Sequence, residues 1–504
     1  MSVTSLKASS LASNALLLWF LLVALAACFG TPLLSWELAL GKASAPSVLL
    51  GLGIASAGVL SVRKWRGQVC DALTRQAWRA TRVSTRCWLT WCLVIGLLIR
   101  IVWVSAFPAP QTSDERTYFG LAAALAAGRP YATQYEGHTW NSYWPPGYPL
   151  FLQLFLRVLG LDRWVLVLAN LVLFATCMVV VHRLAVCAAG QAVARLSTAA
   201  LTVWPNHVCL SGLASKELLL VMLVPLVVLL YLRTTLCSTR KAISRLLLSG
   251  AICGVASLTQ PGLLFLPAIF ALDGLIRRAT IRELGLRLAM VTLGMAVVIL
   301  PWSLRNRRVL GTWVLISTNG GSVFYRANNP LATGGYTPRG ERSLALLNEA
   351  EQSRFGFKWG LEWIRANPGA FLKLAPRKQM LLLGDDAVGI YSTLKQGLGI
   401  AGIGYASWKA VANGFWWLIW LAVLAGCGGA WKQGSVARPE VLLMMSVVLY
   451  IVIVHCVFES AGKYHVPAIG IIAILAAQSV MREPRRDPSC LPGGVYHVLG
   501  GSQQ

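Results

Sequence analysis

"LLLSGAICGVASLTQPGLLFLPAIFALDGLI", residues 246–276, is an apolar run bounded by Arg245 on one side and Arg277–Arg278 on the other. About 20 apolar residues suffice to cross the hydrocarbon core of a bilayer as a helix. This run is longer than one crossing, and both of its ends are basic. It therefore reads as two short helices joined by a turn at "TQPG", residues 259–262, where Pro261 lacks a backbone donor and Gly262 permits the reversal. On that reading the chain lives in a membrane, and its cationic flanks lie on one side.

Working outward, similar apolar runs occur at 14–34, 46–62, 88–107, 163–182, 196–212, 218–232, 284–303, 411–430, 440–458 and 464–481. With the hairpin they make about twelve spans, so an all-α, polytopic transmembrane bundle is expected. Composition agrees: of 504 residues 56% are hydrophobic and 13% charged, with mean hydropathy +0.62. Twenty Trp and 13 Tyr suit a chain that meets the membrane interface many times. "LAAC" at 25–28 resembles a lipoprotein cleavage box, but only Lys7 precedes it, and an ordinary first span explains the same residues. The 12 cysteines fall mostly within apolar runs without CxxC spacing, and read as small packed residues.

The formal charge of +26 would suggest nucleic acid in a soluble domain. Here the cations sit in short segments between spans: Arg63 to Arg86, Arg233 to Arg245, Arg277 to Arg287 and Arg482 to Arg486. Such segments are cytoplasmic under the positive-inside rule, and a nucleic-acid partner is excluded because no single face gathers them. Both termini are then cytoplasmic. Two long segments, 108–162 and 304–410, fall outside, where two periplasmic loops carrying interfacial helices are expected. The divisions are a 1–87 extension with two spans, a core at 88–303, the second outer segment 304–410, C-terminal spans at 411–481 and a tail at 482–504.

The first outer segment opens with "SDERTYFGLAAALAAGRPYA", residues 113–132. Thr112-x-x-Glu115 matches a capping box, so a helix is expected over 113–127 with Asp114 and Glu115 in its first turn. Acids there also complement the helix dipole, which alone explains them. Yet Asp114 and Tyr118 share a face, and Glu136, His138, Asn141 and Tyr143 follow as a polar and aromatic cluster. "WPPGYPLFLQLFLRVLG" at 144–160 then starts a new helix at a rigid Pro145–Pro146–Gly147 corner.

These residues carry a resemblance. An outer acid with Tyr, the pattern "A..LA.G" and then "PPGYPLFL" is similar to the polyprenyl- or dolichyl-phosphate-sugar-dependent glycosyltransferases of the C-type superfamily, the protein O-mannosyltransferase and lipid A aminoarabinose transferase group. "WPNHVCLSGLASKELLLVML" at 204–223 resembles a further family segment, with Glu217 at its acid. "GVASLTQPGLLFLP" at 254–267 resembles another, with Gln260 in place of the usual Arg. "PWSLRNRRVLGTWVLISTNGGSVFYRANNP" at 301–330 is the strongest match. "HCVFESAGKYHVPAIGIIAIL" at 455–475 resembles the closing segment, Glu459 matching its acid and Gly462–Lys463–Tyr464 standing where Arg-Tyr is usual. The likeness runs in order from about 88 to 480.

The resemblance implies transfer of a sugar from a polyprenyl-phosphate donor to a lipid, glycan or protein acceptor, with Asp114 as the acceptor-facing catalytic acid and inversion at the anomeric carbon. Glu115 would be its partner, a metal ligand or a helix-capping acid. Arg305, Arg307 and Arg308 follow an outgoing span against the positive-inside trend, and a lipid phosphate would compensate them; headgroup contact is the plainer alternative. Lys463 is a second phosphate candidate. Tyr118, Glu136, His138, Tyr143, Glu217, Asn328, Asn329, Glu459 and Tyr464 would line the site, although Glu217 beside Lys216 also reads as a local ion pair and Asn328–Asn329–Pro330 as a loop-shaping turn. No cofactor is required by these residues. A divalent metal stays open, since Glu136 and His138 make only a weak ligand pair. The expected setting is a bacterial inner membrane with the site on the periplasmic side. Two other classes compete: a lipid or glycan transporter or flippase, which tends to show repeated halves and broken helices, and a noncatalytic assembly subunit.

Overall fold

Residue Gly294 on one long helix faces the backbone of another so closely that a Cβ placed there would lie 2.2 Å from the Leu247 carbonyl oxygen, and one on Gly250 would lie 2.1 Å from Val291 O. Small residues at such crossings let membrane helices approach and gain dispersion contact, which takes the place of a hydrophobic drive inside lipid. The crossing belongs to a computed structural model that describes residues 3–40, 45–135, 137–236, 239–337, 340, 342–345, 347–433 and 438–481. Gly294→Ala is expected to cost about 1–3 kcal/mol by overpacking, read as a lower unfolding temperature in detergent.

The chain is helical almost throughout: α1 Val3–Leu40, α2 Ala45–Thr81, α3 Thr85–Ala106, α4 Ser113–Ala126, α5 Gly147–Leu159, α6 Arg163–Ala189, α7 Gln191–Thr202, α8 Pro205–Cys209, α9 Lys216–Leu232, α10 Thr239–Thr259, α11 Ala268–Ile276, α12 Ile281–Leu310, α13 Asn319–Ala327, α14 Glu349–Ala366, α15 Pro368–Leu383, the short α16 Val388–Ile390, α17 Gly402–Gln433, α18 Pro439–Val457 and α19 Ile469–Val480. A hairpin of β1 Thr133–Tyr135 and β2 His138–Trp140 pairs antiparallel in the register Thr133 to Trp140; it was not foreseen.

Among the described residues, eight helices are long and apolar enough to cross a membrane. The other expected spans take different forms. Residues 46–62 lie within α2. Residues 196–212 do not form one helix, because α7 stops at Thr202 and Pro205 starts the separate α8; proline cannot continue a helix from within. Residues 218–232 form the 17-residue, almost wholly buried α9. The 246–276 run does reverse at Gln260–Leu263 between α10 and α11. There Gly262 keeps an ordinary φ, so the reversal rests on Pro261.

Two features hold the loop segments against the bundle. Arg100, wholly buried in α3, donates to Gly96 O at 2.9 Å and to Thr202 O at 3.1 Å, neutralising the carbonyl end of α7. Glu349, the first residue of α14, accepts from the backbone N–H groups of Asn141 (2.8 Å) and Ser142 (3.0 Å) and from the Thr318 hydroxyl (2.9 Å). That carboxylate fastens the 141–144 stretch to α14 and to the start of α13. Behind it, Gly147 packs on the end of α10, where a Cβ would lie 2.2 Å from Thr259 Oγ1. The corner "WPPGYP" is thus held against the "TQPG" reversal.

Candidate active site

Asp114 sits one residue inside α4, after Ser113 in the left-handed region at φ 47°. A non-glycine residue there is strained, and such strain persists only where surroundings fix it. The expected capping box is absent: Thr112 makes no side-chain cap hydrogen bond, and the Glu115 carboxylate instead accepts from Ser392 Oγ at 3.0 Å. Tertiary contact has taken the acid that would have reached back to the helix start.

Asp114 Oδ2 accepts from Lys463 Nζ at 3.0 Å, and Oδ1 faces Trp144 Nε1 at 3.4 Å. The ion pair joins residues 349 apart. Lys463 lies in a short turn before α19, and Trp144 at the proline corner. The Lys463 ammonium holds the Asp114 carboxyl well below its ordinary value of 3.8, overcoming burial, with Lys216 adding to the effect. Burial pushes Glu115 above its ordinary 4.5. The two neighbouring acids are therefore driven apart, as acid/base pairs in active sites often are.

The signs fix their effect on stability. Asp114, depressed in the fold, contributes stability that is complete above about pH 4 and is lost as pH falls toward its folded value. Glu115, raised in the fold, has the opposite sign: its ionisation weakens the fold as pH rises through and above its unfolded value near 4.5.

Around the ion pair lie the other motifs. Tyr118 is buried one turn on from Asp114, with Lys216 Nζ 5.8 Å from its ring centroid. Lys216 donates to Gln260 Oε1, and Glu217 accepts from Ser215 Oγ at 2.7 Å. Lys216 and Glu217 thus reach different partners. Glu459 joins two elements: Arg326 Nε lies 3.2 Å from one oxygen and Tyr464 OH donates to the other at 2.9 Å. Arg326 Nη1 in turn faces Tyr143 OH at 3.4 Å, and Tyr143 packs edge-on between Trp140 and Trp144. His455 donates from Nδ1 to Glu459 O at 2.9 Å and stacks on Tyr464.

A narrow cleft lies beside this cluster. Glu217, Gln260 and Lys463 form its polar end; Leu220, Ile451 and Val454 supply apolar wall from α9 and α18.

The structure thus gathers Asp114, Glu115, Tyr118, Tyr143, Glu217, Lys463, Glu459 and Tyr464. Other expected residues lie elsewhere. Arg305 donates to Tyr131 O (2.7 Å), Asn141 O (2.7 Å) and Ser142 Oγ (2.8 Å), and its guanidinium lies 4.8 Å from the Trp302 ring centroid; it ties the first loop segment to α12. Arg305→Ala is expected to lower stability by about 1–3 kcal/mol because buried acceptors lose their donor, a change that thermal unfolding would read. Arg307 and Arg308 are exposed, the former over the Trp313 ring. Asn328 is fully buried, donating to Phe324 O and Val457 O and accepting from Lys378 Nζ at 3.2 Å. Asn329 donates to Tyr325 O and accepts from Leu331 N–H. Both amides are spent on backbone and shape the turn. His138 is exposed on β2 and lines a separate groove with Asn141 and Asn348. Glu136 lies outside the described residues. No group of three metal-ligating side chains occurs among the described residues.

Sequence reasoning missed Arg326, Lys216 and Trp144 as members of the cluster. Arg326 carries a signal in hindsight: it is the one charged residue of the short α13, and a charge beside a membrane needs a partner.

Residues 144–302 match the family model described as dolichyl-phosphate-mannose-protein mannosyltransferase. Over that third of its length the chain is similar to this family. No curated protein gives a significant sequence match. Among solved structures, ArnT from Cupriavidus metallidurans bound to undecaprenyl phosphate is 16% identical, with 79% of this chain and 78% of that one covered and a TM-score of 0.41. The Archaeoglobus fulgidus oligosaccharyltransferase in its apo form is 10% identical, covering 78% of this chain and 50% of its own, at TM-score 0.46. The same organism's AglB, in complex with an inhibitory peptide and a dolichol-phosphate, is 12% identical, with 77% and 50% covered and the same TM-score. The chain spans about half the length of these archaeal enzymes.

Proposed function

We propose that this chain transfers a sugar from a polyprenyl-phosphate donor to a lipid, glycan or protein acceptor at the periplasmic face of a bacterial inner membrane. The observation that carries the reading is the Asp114–Lys463 ion pair beside a cleft with one polar end and one apolar wall. The acceptor hydroxyl oxygen attacks the anomeric carbon as the bond from that carbon to the phosphate oxygen breaks. Its proton passes to Asp114, and the lipid leaves as a phosphate monoester. Attack opposite the leaving group inverts the configuration.

Lys463 has two roles in this sequence. In the resting protein it neutralises Asp114 and makes it a weak base. A donor phosphate arriving at the polar end of the cleft competes for the ammonium, and as the lysine turns toward phosphate Asp114 regains basicity. The carboxylate is then strengthened only when donor is present. Lys216, at the same end, adds a second cation to stabilise the departing phosphate. Glu459 and Arg326 hold Tyr464 and Tyr143 at the rim. Arg307, over the Trp313 ring, and Arg308 are exposed and suited to anionic headgroups. Mass analysis of membrane glycolipids and glycoproteins from a strain lacking this gene tests the reading: one sugar missing from one acceptor class is expected, and an unchanged glycan profile contradicts it.

A further inference from the structure

A second carboxylate lies deeper, outside the chemistry just derived. Asp386, 1% exposed, stands between α15 and α16 and receives three donors. Trp204 Nε1 donates to Oδ2 at 2.7 Å, and Asn206 Nδ2 and His465 Nε2 meet Oδ1, the latter at 3.1 Å. His465 is itself buried and stacked flat on Trp416, with centroids 4.3 Å apart. Its Nδ1 faces the Leu382 carbonyl oxygen, which can only accept, so Nδ1 carries a hydrogen. Its Nε2 meets Asp386 Oδ1 on the other side, so the imidazole bridges the carboxylate and the Leu382 carbonyl as a hydrogen-bonded lock.

The lock closes on the ion pair from two sides. His465 follows Lys463 by two residues. The Asp385 carbonyl presses on Gly462, where a Cβ would lie 2.0 Å from it. Asn206 spans the turn, its Oδ1 accepting from Gly389 N–H at 2.8 Å. Further along, Ser392 reaches Glu115, next to Asp114. One segment, 385–392, buried at Asp386, Gly389 and Ser392, thus touches the flanks of both members of the pair.

We propose that Asp386 is the positioning residue of the Asp114–Lys463 pair: through His465 it fixes the stretch that carries Lys463, and through its own turn it carries Ser392 to Glu115. Asp386 touches no substrate in this assignment. The assignment rests on the reading of Asp114 as the reacting carboxylate, but its test does not depend on transfer.

The test compares the full-length protein in nanodiscs with Asp386→Asn, which offers one oxygen where three donors converge. An amine-acylating reagent labels lysines, and peptide mass spectrometry reads the rate at each. Lys463 is expected to label roughly tenfold faster in the variant, the equivalent of one unit of lost ion-pair stabilisation. Buried Lys378 should stay unchanged, as a general loosening of the fold would not leave it. With a polyprenyl-phosphate sugar as donor, kcat should fall, since the loss reaches the geometry at the reacting carboxylate. Unchanged Lys463 labelling in folded Asp386→Asn overturns the proposal, as does an equal rise at Lys378. If that variant does not fold, Asn206→Ser removes one donor and leaves the lock; a smaller rise at Lys463 supports the proposal and none overturns it. A rise at Lys463 in a protein that transfers no sugar upholds the positioning and contradicts the transferase reading.

Discussion

Asp114→Asn is expected to abolish sugar transfer in a protein that keeps its fold. Loss of a positioned base typically costs about 10²–10⁴-fold in rate. The amide preserves shape and the Trp144 contact but cannot take the acceptor's proton. A role limited to helix capping would leave a different signature, a loss of about 1 kcal/mol in stability with activity intact. The geometry argues against that role, because the Asp114 carboxylate faces Lys463 and Trp144 and not the start of α4. Transfer kinetics and thermal unfolding of the same preparation separate the two.

The second large effect is expected at Lys463. In Lys463→Met, Asp114 loses the charge that holds it low, and its affinity for protons returns toward the ordinary range. The acid limb of the pH–rate profile should then move up, and kcat should fall by about 10²–10³-fold as the developing phosphate charge loses a preorganised partner. Lys463→Arg keeps the charge and should retain much more activity. A variant with normal rates and an unmoved acid limb would mean that the pair is only structural.

The fold was legible where physics is local. Hydropathy marked the spans, and the basic run ends with Pro261 marked the α10–α11 reversal. Motif order along the chain marked Asp114, Glu217, Glu459 and Lys463 as candidates before any geometry was known. Local rules failed where a distant residue competes for the same group. Thr112 and Glu115 spell a capping box, but Ser392 takes the glutamate. Arg305 looked free because its partners are backbone carbonyls of a segment more than 160 positions away. Asn328 and Asn329 looked substrate-facing, yet buried carbonyls demanded their amides. Residues 196–212 are apolar enough for one span, but Pro205 divides them. Arg326 escaped notice because nothing near it in sequence hints that Glu459 will meet it.

The cluster is expected to cleave a sugar from a lipid phosphate and not to carry that lipid across the bilayer. The direct measurement uses proteoliposomes containing a radiolabelled polyprenyl-phosphate sugar and extracted membrane acceptors. Label is expected to leave the carrier for an acceptor, with one free polyprenyl phosphate appearing per sugar moved, and Asp114→Asn to remove both. Intact labelled carrier moving between leaflets, with no release of polyprenyl phosphate and no dependence on Asp114, would contradict it.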